Sequence, residues 1–285
     1  MSTLEAHGDK KFADLTAKDK IARRADLPSL PALLLEALQC TTGNQNLSNL
    51  ADRISQDPPM AVRVLRVANS PFYGMSREIG SLQEAVVVLG LNRVRNLLLG
   101  VGFMNVLPVY HRNFDYSLFW HHSMAVADCS RQLAMHTGID QDIAFTAGLL
   151  HDIGLLAIVL LFPDDFSRIV ADPNLNRIEA ERQILGLDHA EIGGNVARHW
   201  NIPTTIQRAI EQHEAPPAQA GAISLGMLVY TANLLIADAE QDGNSTPEHQ
   251  AAIVRVLGML NVPIDHATDW ANTSRQFAAQ IVAIL

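Results

Sequence analysis

Apolar residues recur at helical spacing through almost the whole chain, and Gly and Pro fall between the periodic segments. The long apolar–polar alternation that a half-buried strand needs is missing, so the pattern predicts an all-α fold. Residues 1–24 are polar and read as a lead-in. In "LPSLPALLLEALQ", Ser29 is placed as an N-cap and Pro31 just inside a helix start. In "NLSNLADRISQDPPMAVRVLRVANSPFYG", Ser48 caps a short helix that ends near Asp57. Pro58 and Pro59 open the next helix, and Asn69-Ser70-Pro71 closes it. Ser81 with Glu84 matches a capping box ahead of two more helices. Residues 25–110 therefore read as an N-terminal helical subdomain, with a boundary across Pro108–Asn113.

Beyond that boundary the helices lengthen, over about 115–136, 140–161, 177–184, 188–199, 203–213 and 221–239. Residues 111–240 read as a second helical subdomain, and 241–285 as a C-terminal helical tail that caps the core or mediates a homodimer. The tail's first helix is predicted to start at a Ser245–Glu248 capping box, with Pro247 in its first turn.

Composition narrows the functional classes. Hydrophobic residues make up 48% of the 285, enough for a sizeable core. The formal net charge of -9 opposes a nucleic-acid-binding surface, which needs a basic stripe. Lys10-Lys11 and Arg23-Arg24 read as solvated helix faces. Cys40 and Cys129 have neither metal-type nor redox-type spacing, and no secretory leader is visible. A cytoplasmic protein with free thiols is the expectation. The run Leu155–Phe162 is too short to span a bilayer, and extending it backwards meets His151 and Asp152.

That doublet is the chemical puzzle of the sequence. "AGLLHDIGLLAIVLLFP" is almost wholly apolar, and a charge inside it is costly unless it is paired or bound to metal. Successive helical residues point roughly 100° apart, so His151 and Asp152 could both reach an ion seated against the helix flank. Imidazole with carboxylate suits Fe, Mn or Zn. Such an ion would offset the carboxylate charge and activate water. Further polar groups follow in "FWHHSMAVADCS" (His121, His122), "LGLDHAEIGGNVARHW" (His189, His199), "AIEQHEAPP" (His213, Glu214) and "VYTANLLIAD" (Asn233, Asp238). Each also has a plain structural reading. A His on an apolar helix face can be a hydrogen-bonded core residue, His121 can face solvent or a seam, and His199 can pack beside Trp200. Asp152 can pair with an Arg or a His.

Three segments in order, "LPSLPALLLEAL", "LADRISQDPPMAVRVLRVANSPFYG" and "IGSLQEAVVVLGLNRVRNLLL", resemble the hallmark of the HDOD family. That family is a signalling branch of the HD phosphohydrolase superfamily, related to the HD-GYP proteins. The resemblance covers about residues 25–240. It implies a multi-helix HD-like bundle in which His122 is the first metal ligand and His151-Asp152 the doublet. The superfamily's later aspartate falls on Asn233. Positions of the multi-metal relatives fall on His189 and His213, with Glu214 where they carry a second histidine. Their lysine after the doublet's glycine is Leu155 here. Asn233 brings no charge, and Leu155 removes the cation a phosphodiester would meet.

Two readings follow. In the first, the chain is a bacterial signal-transduction module that presents its N-terminal helices to a partner protein, with a partly retained centre of one or two ions. "NSPFYG" is part of that surface or of a seam, where Phe72 and Tyr73 are expected to be buried. In the second, the chain is a phosphohydrolase acting on a nucleotide or cyclic dinucleotide. His122, His151, Asp152 and Asn233 would then hold one ion, and His189, His213 and Glu214 a second. Asp152 would bridge them and be the residue on which turnover depends. A third option is a sensor that binds a nucleotide in the same cleft without cleaving it, but no Gly-rich phosphate loop supports it, and "EIGGNVA" is read as close helix packing.

Overall fold

A computed structural model describes residues 28–39, 48–106, 111–171, 175–216, 223–242 and 244–284. The lead-in over 1–24, Cys40, the Ser48 cap and the part of the expected boundary at 107–110 lie outside the described residues and side chains. Among the described residues every regular element is helical, so the fold is all-α as predicted.

Among the described residues the N-terminal part contains α1 (Ala32–Gln39), α2 (Ser48–Ser55), α3 (Pro58–Ala68), α4 (Leu82–Leu89) and α5 (Leu91–Val106). Helix α1 begins two residues later than expected. The Pro31 carbonyl, not Ser29, occupies the capping position and accepts from the Leu34 and Leu35 amides. Asp57 caps α3 through the Met60 amide at 3.1 Å. A 3₁₀ turn over Pro71–Tyr73 follows, ended by Gly74 at φ 56°. Asn69 pins this loop at both ends. Its amide nitrogen donates to the Ile79 carbonyl, and its oxygen accepts from the Ile79 amide at 2.7 Å. At α4 the capping box is half made. Ser81 accepts from the Glu84 amide, but Glu84 accepts from Gly80 and pairs with Arg77.

The larger part contains α6 (Tyr116–Ala134), α7 (Gln141–Leu150), α8 (Ile153–Leu161), α9 (Pro163–Ile169), α10 (Arg177–Leu185), α11 (His189–His199), α12 (Thr204–Gln212) and α13 (Leu225–Glu240). The chain ends with α14 (Pro247–Leu260) and α15 (Ile264–Ile284). Helix α6 is central and packs against α7, α13 and α15. One contiguous apolar cluster runs from Leu30 to Ile281, with Trp120, Phe103 and Met124 among its largest fully buried side chains.

Two further expectations are overturned. The helix predicted over 140–161 is broken at His151-Asp152 into α7 and α8. His151 turns its Nδ1 onto the Gly148 carbonyl at 2.7 Å, and Asp152 takes the N-cap position of α8. The tail helix is capped by Thr246, through the His249 amide, and not by Ser245. Ser245 donates instead to the Asp238 carboxylate. Residues 141–161 have the length and hydropathy of a membrane span, yet 83% of that window is buried inside the fold.

Candidate metal centre

The break between α7 and α8 positions the doublet. A straight helix would keep His151 and Asp152 about 100° apart. The break lets both face one space, with His151 Nε2 3.5 Å from Asp152 Oδ2. Gly154 makes the position reachable from α11. A β-carbon there would lie 1.9 Å from the His189 carbonyl oxygen, so α8 and α11 touch backbone to backbone.

Around Asp152 stand four imidazoles, each fixed through one ring nitrogen. His122 Nδ1 meets the Glu240 carboxylate at 3.1 Å. His189 Nδ1 meets Glu181 Oε2 at 2.7 Å, and the same oxygen accepts the His189 backbone amide. The Nδ1 atoms of His151 and His213 contact the Gly148 and Ile210 carbonyls, each at 2.7 Å. Fixing Nδ1 turns the other nitrogen inward, the usual arrangement around a metal-ligating histidine. The start of α11 is itself secured by an Asp188–Glu191 capping box, and Arg182 holds Asp188 at 2.6 Å.

Two ligand groups share Asp152. The first joins Asp152, His189, His213 and Glu214. His189 Nε2 lies 3.4 Å from Asp152 Oδ1, 3.3 Å from Glu214 Oε1 and 3.3 Å from His213 Nε2. His213 Nε2 is also 3.3 Å from both Asp152 Oδ1 and Glu214 Oε1. A tetrahedral ion with bonds of about 2.1 Å requires ligand atoms about 3.4 Å apart. The second group joins His122, His151 and Asp152, with ligand atoms within 4.8 Å of one another. Asn233 adjoins it, its Oδ1 3.0 Å from His122 Nε2. His151 Nε2 is buried with no hydrogen-bond partner, an orphaned lone pair or proton that an ion would satisfy. Nitrogen and carboxylate donors in this number fit a divalent transition metal.

Electrostatics sets His151 apart from the other three imidazoles, all of which, His122 included, are raised. Burial disfavours a charged His213, but hydrogen bonds to Asp152 and Glu214 outweigh it and hold the imidazole at about 9. His189 behaves alike: Glu181, Glu214 and Asp152 overcome burial and raise it well above the ordinary value. Burial would raise Asp152, yet the surrounding histidines, His151 foremost, keep its carboxyl well below the usual range. His151 goes the other way, because burial dominates and lowers it to about 4.

All seven residues singled out from the sequence therefore meet in one place. His121 and His199 do not join them. His121 is half-buried beside the cluster helix, and His199 stands at the end of α11 next to Trp200, whose indole donates to the Pro28 carbonyl. Leu155 is buried in the core. Asp238 binds Ser245 and Gln250. Sequence reading missed Glu181 and Glu240. Glu181 sits in the charged run "RIEAERQ", which reads as a solvated face, yet it is fully buried. Its only cue is a place one helix upstream of His189.

A family profile described as the HDOD domain matches residues 27–216. An uncharacterized protein of Treponema pallidum (strain Nichols) is 29% identical over 198 residues, 67% of this chain but only 38% of the Treponema protein. The solved structure of an HDOD domain protein of unknown function from Geobacter sulfurreducens superposes with a TM-score of 0.79 at 23% identity, covering 94% of this chain and 97% of that one. A protein from Shewanella amazonensis SB2B, provisionally named a phosphohydrolase, gives 0.76 at 25% identity, covering 92% and 97%.

Proposed function

The chain belongs to the HDOD domain family, and on that footing we propose that it is a bacterial signal-transduction module whose helices are locked in register by a divalent transition-metal centre. The observation that carries this reading is the placement of Asp152 Oδ1 at 3.3–3.4 Å from two inward-turned imidazole nitrogens. His189, His213, Glu214 and Asp152 would hold one ion. His122, His151, Asn233 and the other Asp152 oxygen would hold a second. These ligands come from α6, α11, α13, the α7–α8 junction and the end of α12, so occupancy couples helices far apart in sequence. The output is an interaction with a signalling protein in the cytoplasm, made through the N-terminal helices.

When bound, the metal supplies Lewis acidity and a lowered pKa for water. The chain's own residues favour holding over turning over. Leu155 is apolar and buried where a phosphate would need a cation. Asn233 offers a neutral oxygen in place of a carboxylate.

A second reading, hydrolysis of a nucleotide or cyclic dinucleotide, is favoured by one feature. The Glu214 and His122 side chains are 29% and 19% exposed, so the centre has an open edge. Asp152, which touches both groups, would be its catalytic residue. Metal analysis of protein purified without chelator, with an assay of cyclic dinucleotide and nucleotide cleavage, separates the two. Bound metal without turnover supports the regulatory module. Turnover that disappears in Asp152→Ala would replace it with the enzyme. Protein that neither carries nor takes up metal would remove both.

A further inference from the structure

We propose that the cleft between the Pro71–Tyr73 turn and helices α5, α6 and α15 is a second ligand site, taking a flat, largely apolar small molecule with a single anionic group. The cleft has a volume of about 320 Å³, within the range of small-molecule sites. Well-packed interiors leave few voids of that size, and the segments that meet here come from both ends of the chain. It shares no residue with the metal centre.

The walls select a ring. Phe72 packs on Phe277 with centroids 4.7 Å apart and on Tyr73 at 5.2 Å, edge to face. Phe145, Leu97, Val88, Leu89 and Met75 complete the apolar lining. Phe72 and Tyr73 are thus seam residues, as expected, but only half-buried, because one side of the seam is open. Aromatic walls around an unfilled slot favour a planar occupant through offset and edge-to-face contacts.

The polar groups select the charge. Asp128 is the one carboxylate in this lining, and it is fully engaged. It accepts from Arg131 at 2.6 and 3.0 Å, from Gln132 at 2.9 Å and from Ser274 at 2.9 Å. Asn96 is also occupied, between Arg95 and Asp142. Arg93 is exposed at the rim and makes no ion pair among the described residues. The Tyr73 hydroxyl has no hydrogen-bond partner among them, and Arg93, Arg131 and Asp128 all act on it. The cleft broadens past Arg93 into a groove edged by Asp140 and Asp142. Asp140 there caps α7, and Asp142 accepts from Asn96, so neither carboxylate answers Arg93. One guanidinium and one phenol O–H remain to receive one anionic group, a carboxylate, sulfonate or phosphate monoester, next to an apolar slot.

Two fluorescent dyes test this on the full chain. 8-Anilinonaphthalene-1-sulfonate has the predicted ring body and anion, and N-phenyl-1-naphthylamine has the same rings without the charge. Saturable one-to-one binding is expected, with the sulfonate at least tenfold tighter, about 1.4 kcal/mol for a charge-assisted contact. Arg93→Ala should erase that preference while the neutral dye still binds. Val88→Trp, which fills the slot from its exposed rim, should abolish both, with thermal melting confirming the fold. Chelation of the metal centre should leave the dye affinities unchanged. Absence of saturable binding, a sulfonate preference that survives Arg93→Ala, undiminished binding in folded Val88→Trp, or displacement of dye by divalent metal would each overturn the proposal.

Discussion

The two ligand groups around Asp152 are built to different standards. On one side, His189 and His213 lie 3.3–3.4 Å from Asp152 Oδ1 and 3.3 Å from Glu214 Oε1, so carboxylates press on both imidazoles. On the other, His151 meets Asp152 Oδ2 at 3.5 Å and the remaining oxygen comes from the neutral amide of Asn233, bonded to His122. Ligand charge sets how strongly a cation is held, so on the proposed reading the first group would hold its ion tightly and the second loosely. A protein can keep a strong ion as a structural fastener while its second position exchanges with solvent and its surroundings.

The largest effect should come from the atom pair the two groups share. Asp152→Ala removes one ligand from each, and metal content should fall to background. Chelating the wild type should lower the melting temperature on the order of 10 °C, since an ion at about a thousandfold its Kd adds about 4 kcal/mol and each kcal/mol moves a chain of this size by about 2–4 °C. The melting temperature of the variant should not respond to added metal. Scanning fluorimetry reads both, and a variant that still responds to metal would show that Asp152 does not bridge.

Next in size are single histidines, one from each side. His189→Ala should weaken metal uptake, measured by competition with a chromophoric chelator, at least 100-fold. His122→Ala should cost about tenfold or less and leave one ion bound. Glu181→Gln should fall between them, because loss of an outer partner typically costs 10–100-fold. Equal losses from His189 and His122 would remove the distinction between the groups.

Asn233→Asp sharpens the comparison from the opposite direction. It restores a charged oxygen beside His122, within reach of a second ion. The expected result is a rise in stoichiometry from about one to two ions per chain by elemental analysis, with roughly tenfold tighter binding of the weaker ion. Unchanged stoichiometry would mean that the loose group fails for a reason other than charge.

Why the tight group could be read in advance and its supports could not is a matter of where the signal lies. His151-Asp152 is conspicuous because two polar residues interrupt an apolar run. His189 and His213 sit in amphipathic helices with no local anomaly, and the family resemblance, not periodicity, picked them out. Glu181 and Glu240 are acidic residues in charged segments, where a solvated face is the cheaper assumption. Tertiary folding brings the Glu181 carboxylate onto the amide and ring of His189, and there it is buried. The helix break at 151–152 was equally hidden. Nothing in "LLHDIGLL" opposes a continuous helix, and the break depends on His151 capturing a carbonyl of its own preceding turn. Turn chemistry was read correctly as to place but not always as to residue, as at Thr246, where two neighbouring hydroxyls competed and Asp238 claimed Ser245.

The smallest effect is set by protons, and it needs no substitution. In the metal-free chain His213 titrates at about 9 against 6.5 when unfolded, because Asp152 and Glu214 outweigh the burial that opposes its charge. A folded-state pKa raised above the unfolded one means a contribution fully present below pH 6.5 and lost as the pH climbs through 9. His151 is lowered to about 4 by burial. The unfolded chain therefore binds its proton first, and stability is lost as the pH drops from 6.5 towards 4. Chelated protein should accordingly melt highest near pH 6.5 and decline on both sides. Added metal must displace the proton on His213, so its affinity should increase with pH up to about 9 and the alkaline decline should flatten in loaded protein. Melting curves from pH 5 to 9.5, with and without metal, check this. A chelated chain equally stable at pH 6.5 and 9 would mean that His213 holds no proton between the carboxylates, and the tight group would then be neither charged nor primed as argued.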